Sequence, residues 1–346
     1  MKTLENKKIL FICLKFFNYE KLIKQQMIDL GAEVDWFDER PSNTFFTKAM
    51  LRINKDFISN VINKYFKELI EKIKVKKYDY FFLIKGEATP RFFIDFLRKN
   101  NPNIKLIFFT WDSFKNNKNG LEIIKLFDKT YTFDPYDANQ YEIDFRPLFY
   151  VQDYEKLNDE ATNFQNELSF IGTAHSDRYG VTEKVRSWCE KKNFKTYAFY
   201  YSPSKLLFKL NKIFNRNFKQ FDLKKISFNS LSHDEIIDIY RRTKVILDIN
   251  HMGQKGLTMR TFECLGAGRK LMTTNKEVEK YPFFKTQNIF VLDREKVELN
   301  VNFFETGFIP LEVPLLEAMS LKGFIEELFG KVSHQYWEEV KINSRI

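Results

Sequence analysis

Short runs of continuous apolar residues alternate along the chain with longer stretches in which apolar positions recur every three or four residues. The runs at 8–14, 33–37, 80–84, 105–110 and 129–133 predict strands of a parallel sheet, because a strand covered on both faces needs apolar side chains on both sides. Between them, helical spacing is found at 19–30, closed by Gly31, at 91–99 and at 120–127, and a long basic amphipathic helix is expected over 49–75. The polar stretch 151–167 has little periodicity and reads as a linker. The alternation then restarts, with strands at 168–171, 196–200, 244–249 and 270–274 and helices at 181–192, 232–242 and 258–265. Ser232 and Glu235 open the second of these helices with a capping-box spacing.

Two rounds of strand and helix predict an α/β protein of two Rossmann-like domains whose parallel sheets face an interdomain cleft. The expected bounds are 1–150 for a first domain, 151–167 for the linker, 168–330 for a second domain and 331–346 for a terminal helix or tail. Helices after 321 are of the kind that can cross back to the first domain. At 346 residues the chain is long enough for two full cores, so folding without disulfides or partners is expected.

Composition adds three constraints. Cys13, Cys189 and Cys264 are isolated, with neither metal-ligand nor disulfide spacing, which fits a reducing cytoplasm. The apolar run near the start is too short for a signal-peptide core or a membrane span, so a cytoplasmic protein is expected. A net charge of +10 goes with abundant Lys, Asn, Ile and 38 Phe, the residues an AT-rich genome favours. It is also compatible with attraction to nucleotide phosphates, an anionic membrane or nucleic acid.

The stretch from Asp248 to Gly268 carries the strongest chemical signal. A strand that runs through a loop into a helix points free backbone donors and a positive helix end at the carboxyl edge of the sheet, where phosphate binds. Gly253 and Gly256 permit close backbone approach there, and Lys255 and Arg260 can neutralise a diphosphate. Arg260 and Glu263 share a helix face, so phosphate and ribose hydroxyls can be met side by side; an ordinary surface ion pair is the alternative. Asn250, Gly256 and Thr261 complete the candidate donor contacts.

Arg260-Thr-Phe-Glu263 followed by Gly266-Ala-Gly268, together with Ser169-Phe-Ile-Gly-Thr173 and Arg178, resembles the donor domain of GT-B glycosyltransferases of capsule and lipopolysaccharide assembly, those with a family 1-like C-terminal domain. The resemblance covers most of 168–293. It implies that Glu263 binds donor ribose, that Gly172 and Thr173 lie near the phosphates, and that Arg178, Lys255 and Arg260 stabilise the departing nucleoside diphosphate. Many members place a second acidic residue seven positions before that Glu; here the position is Gly256. The implied activity is transfer of a sugar from a nucleotide-sugar co-substrate to a cell-surface glycan or lipid-linked glycan, with no other cofactor.

No Asp-x-Asp triplet occurs, so a metal-independent reaction is expected, in which protein cations meet the leaving-group charge. No dinucleotide or P-loop glycine motif occurs either. Strand ends in the first domain offer Glu87 and Asp112 as candidate bases for an acceptor hydroxyl, with helix capping as the alternative role of each. His251 follows a strand of the second domain and is a candidate near the anomeric centre, His175 lies in the loop after Gly172, and His233 and His334 read as structural or surface residues. The basic, apolar-striped insertion 203–218 fits either a core-packed helix or one lying on the inner face of an anionic membrane. Two other functions suit the same residues: a nucleotide-sugar epimerase or hydrolase on this fold, and a basic nucleic-acid-binding protein, which would lack a recognisable binding motif.

Overall fold

The computed structural model describes residues 2–158, 163–214, 218, 221–330 and 335–345. They form two compact units, residues 1–148 with 321–346 and residues 149–320. Each contains a six-stranded, wholly parallel sheet.

The first sheet contains β1 (Lys8–Cys13), β2 (Glu33–Phe37), β3 (Tyr80–Ile84), β4 (Lys105–Thr110), β5 (Lys129–Thr132) and β6 (Asp144–Phe145), in the order β2-β1-β3-β4-β5-β6. The chain reverses direction across the sheet between β1 and β3, which leaves a crevice at their carboxyl ends. The many phenylalanines pack both faces. Because strand side chains alternate, Phe81 of β3 meets Phe93 and Phe127 on one face, while Phe82 stacks on Phe11 and meets Phe329 on the other. Each such ring removed from water contributes about 1.5–3 kcal/mol.

The second sheet contains β7 (Asn166–Thr173), β8 (Thr196–Tyr201), β9 (Ile226–Ser227), β10 (Thr243–Asp248), β11 (Lys270–Thr273) and β12 (Ile289–Val291), in the order β12-β11-β10-β7-β8-β9. Its reversal point lies between β7 and β10. The helices Arg178–Lys191 and Met259–Gly266 follow those two strands, so both begin at that point. Gly266 has no room for a side chain, since a Cβ would lie 2.5 Å from the Tyr150 ring, and Gly268 ends the helix at φ +62°.

Several sequence expectations are corrected. The helix expected over 49–75 is two helices, Phe45–Ile53 and Ser59–Ile73, separated by a 3-10 turn at Lys55–Ile58. Asn54 is extended and its side chain caps Asp56, which competes with continued helix. The helix expected over 120–127 is a short turn, Lys118–Leu121, and a 3-10 segment, Ile124–Leu126. The expected linker contains a helix, Gln152–Glu155, with Tyr154 and Leu157 buried against the second unit; Tyr154 packs on Tyr240 and Asn158 donates to the Gly266 carbonyl.

Residues 321–330, expected in the second domain, pack on the first. The reason lies in the Leu321–Leu328 helix and the residues after it: Phe324 meets Phe109, and Phe329 meets Tyr80 and Phe82. The Tyr336–Ile342 helix joins them, tied by Asn139 and Lys341. Buried Arg146 is the clamp. Its guanidinium lies between the rings of Phe324 and Trp337, 5.3 and 5.2 Å from their centroids, and forms an ion pair with Glu327 at 2.5 Å. Arg146→Met, which leaves Glu327 buried without its charge partner, is expected to destabilise the first unit by about 3–5 kcal/mol in urea unfolding; adding Glu327→Leu should recover much of that loss.

Candidate functional site

The carboxyl edge of the second sheet gathers cations around a small number of buried acids. Arg178, at the start of its helix, donates from Nε to the Ile249 carbonyl at 2.9 Å and from Nη1 to the Thr173 hydroxyl at 2.7 Å. Arg260 donates to the Tyr240 hydroxyl at 3.2 Å. Arg294, just past β12, bridges loops: Nη1 meets both oxygens of Asp177 at 3.0 and 2.8 Å, and Nη2 meets the Asn250 carbonyl and side-chain oxygen. Asn250 also accepts from Thr274 and donates to Gln254, so the loop after β10 is held from three sides.

Burial lowers the Arg178 guanidinium from its ordinary range; Asp248 opposes this, and the charges of Arg260 and Arg294 add to it. Burial would lower Arg260 too, but Tyr240, Glu263 and Asp248 more than offset it. Arg178 therefore feels two further guanidinium groups, beside two buried carboxylates, Asp248 and Glu263.

Backbone donors point to the same edge. Thr258 stands at the N-cap of Met259–Gly266, yet its hydroxyl donates to Asp248 at 2.7 Å and caps nothing. Asp177 stands at the N-cap of Arg178–Lys191, and its carboxylate is held by Arg294. Neither helix start is capped by its own N-cap side chain, and the side chains that would cap them are engaged elsewhere.

The sequence-predicted residues are distributed as follows. Thr173, Arg178, Asn250, His251, Lys255 and Arg260 all lie at this edge, with Glu263 one helical turn further on. Lys255 is half-exposed and paired with Glu277 at 3.1 Å. Gly256 is buried and its carbonyl accepts from Gln254. Thr261 is buried within the helix, with 1% of its surface accessible. Gly172 is a strand residue of β7, not a loop residue, and the space a Cβ would take is filled by the Phe170 ring. His175 and His251 bring their rings to 5.3 Å, and His175 is held below its ordinary range by burial, by His251 and by Arg178. His233 pairs with Asp153 at 3.1 Å, and His334 lies outside the described residues.

Arg294, Asp177, Thr258 and Tyr240 were not singled out in the sequence. Arg294 stands one residue beyond the stretch that carries the resemblance, and its only local mark is its place just after a strand end. Tyr240 is an apolar-face residue of its helix by spacing, and its partnership with Arg260 is purely tertiary.

The first unit has its own polar edge. Lys85, part-buried, bonds to Glu87 at 2.9 Å and to Asp112 at 3.0 Å, and Arg40 forms a second ion pair with Glu87. Burial would raise Glu87, but Lys85 and Arg40 hold it below the usual carboxylate range. Asp112 keeps 41% of its side chain exposed. Glu39, not anticipated, is fully buried; its Oε1 accepts from the Ala88 and Thr89 amides and the Thr89 hydroxyl, and its Oε2 has no hydrogen-bond partner among the described residues.

No protein-family model matches the chain, and no curated protein is similar to it in sequence. Solved structures are similar in fold. An alpha-glucosyltransferase in complex with UDP and a 13-mer DNA superimposes with a TM-score of 0.57 at 11% identity, over 96% of this chain and 98% of that one. An alpha,alpha-trehalose-phosphate synthase (UDP-forming) from Burkholderia vietnamiensis gives 0.53 at 9% identity, over 98% and 97%. UDP-GlcNAc 2-epimerase from Methanocaldococcus jannaschii gives 0.51 at 10% identity, over 93% and 99%. With two Rossmann-like domains, each a parallel six-stranded sheet between helices, the chain has the GT-B fold.

Burial and the neighbouring Glu87 charge push the Glu39 carboxyl up to about 7, against the pull of its three donors. An unfolded Glu titrates near ~4.3, so between those values the native state binds the extra proton and stability falls as pH rises. Glu39→Gln is accordingly expected to unfold at a temperature close to the wild-type value at pH 5 and at a higher one at pH 8. Equal melting temperatures at pH 8 would place the titration elsewhere.

Proposed function

We propose that the chain is a glycosyltransferase that takes a sugar from a nucleoside diphosphate donor held at the carboxyl edge of the second sheet. The observation that carries this reading is the gathering of Arg178, Arg260 and Arg294 beside two helix starts that their own N-cap side chains leave uncapped. In this reading Arg178, Arg260 and Lys255 meet the diphosphate and the charge that develops as it leaves, and Glu263 accepts hydroxyls of the ribose. The cations are supplied by the protein, so donor binding needs no metal. Three structurally similar proteins carry UDP or a UDP-sugar in their names, which makes a uridine diphosphate sugar the first donor to test.

The first unit holds the acceptor, a cell-surface glycan of the capsule or lipopolysaccharide kind or its lipid-linked precursor. Asp112 is the better-placed base, because its carboxylate is partly open to solvent while Glu87 is held ionised by two cations. His251 keeps its place beside the donor, its Nδ1–H donating to the Met252 carbonyl and its ring exposed. A location on the inner membrane face finds support in the Lys205–Phe214 helix. Phe208 docks it, while Leu206, Leu210 and Ile213 are exposed next to lysines. Among the described residues no helix is long and apolar enough to cross a membrane.

Calorimetry with UDP, other nucleoside mono- and diphosphates and their sugars is expected to reveal one preferred diphosphate whose binding is unchanged by EDTA. Losing one charge-assisted hydrogen bond, as in Glu263→Ala or Arg178→Ala, should weaken it by about 10–100-fold. Absence of any nucleotide binding would overturn the assignment, and loss of binding in EDTA would overturn its metal-independent form. Turnover of a nucleotide sugar to its epimer with no acceptor present would favour an epimerase on the same fold.

A further inference from the structure

The first unit carries an exposed aromatic cluster at the crevice between β1 and β3. The loop that leaves β1 presents Phe16 and Phe17, 44% and 55% exposed, and their rings meet edge to face at 4.8 Å. Phe16 reaches Trp111, the residue after β4, at 5.6 Å. Trp111 is half-buried, so the loop after β1 spans the end of the intervening strand β3 to reach it. Directly after Trp111 comes Asp112, paired with Lys85 from the end of β3.

Two costs are accepted in this loop. Large aromatic rings remain in water, and Phe17 and Asn18 both hold positive φ, 48° and 65°. A bulky residue such as Phe17 in the left-handed region is an outlier that persists only where the surroundings impose it, whereas Asn18 tolerates that region. Glu20, buried, fixes the turn by accepting the Phe16 amide at 3.1 Å. The strain therefore holds the rings out, next to an ion pair, at the place where ligands bind in open α/β sheets.

We infer that Phe16, Phe17 and Trp111 form a platform on which a pyranose ring of the acceptor stacks, with Asp112 and Lys85 meeting its hydroxyls. This rests on the glycosyltransferase reading and names the residues and chemistry of its acceptor side. Aromatic faces are electron-rich and attract the polarised C–H bonds on the flat side of a sugar, whereas the rim of the same sugar needs hydrogen-bonding partners. The cluster offers both within one edge. A lipid chain would instead bury the Lys85–Asp112 pair without replacing its water, which is unfavourable.

The test uses the whole chain with methyl and p-nitrophenyl hexopyranosides as probes, followed by tryptophan fluorescence and by transfer kinetics with the nucleotide sugar the protein prefers. Glycosides are expected to change the emission of the wild type, and that change should vanish in Trp111→Phe. Phe16→Ala and Trp111→Ala should raise the acceptor KM about tenfold or more, the equivalent of roughly 1.4 kcal/mol, with affinity for the nucleoside diphosphate as in the wild type. Melting temperatures, measured alongside, separate a loss of acceptor affinity from a loss of folding, since Phe16 is part-exposed and Trp111 half-buried. Unaltered acceptor KM in both variants would overturn the platform. So would an emission change produced by oligodeoxythymidylate and not by any glycoside, which would point to base stacking. Failure of the nucleotide to bind, with the Trp111 response to glycosides intact, would instead remove the transferase reading and leave a sugar-binding surface.

Discussion

Arg178 feels the charges of Arg260 and Arg294 at the carboxyl end of β10, and contacts from several loops of the second unit hold the three side chains. Asp248 and Glu263 supply buried counter-charge, Tyr240 accepts from Arg260, and Arg294 is fastened to Asp177 and to Asn250. These contacts draw the loops after β7, β10 and β12 into one edge. The parallel sheet makes this possible, because all of its strands end on the same side and both helix starts point there. Within this set of three arginines and three carboxylates, Arg178 is the guanidinium that burial and its two cationic neighbours hold below its ordinary range.

The first unit solves a different problem with similar means. Its sheet is rich in phenylalanine on both faces: the Ser59–Ile73 and Arg91–Asn100 helices pack on one, and on the other the chain's far end completes the layer beside the Tyr19–Asp29 helix. Arg146 holds that layer by lying between Phe324 and Trp337 while its charge meets Glu327. At the carboxyl end of the same sheet, Lys85 and Arg40 hold Glu87 ionised, while Glu39 behind them takes the proton that the crowded carboxylates force on one of their number. Asp112 is left partly open to solvent beside the exposed rings of Phe16 and Phe17.

Strand and helix order were legible along the chain because each is governed by local spacing: continuous apolar runs for β1, β3, β4 and β10, and a three-to-four repeat with a capping box before His233–Arg241. The short edge strands β6, β9 and β12, of two, two and three residues, were missed because so few residues carry no periodicity. Asn54 broke a helix that the apolar repeat continued through, since one side-chain hydrogen bond outcompeted the next helical turn. The strand-loop-helix around Lys255 and Arg260 was visible as a site because its residues are neighbours in sequence.

The sequence by itself determined the α/β class, the pairing of two Rossmann-like halves and one continuous stretch of candidate donor-site residues, because these depend on side-chain periodicity and on groups a few residues apart. Only the tertiary structure decided that Arg294 joins Arg178 and Arg260, that Tyr240 accepts from Arg260, that Glu39 shares its environment with Glu87, and that Phe16 reaches Trp111. It also decided that the chain end covers the first sheet. Each of these joins residues far apart along the chain, and the charge, burial and strain that define them arise only once the strands are set side by side.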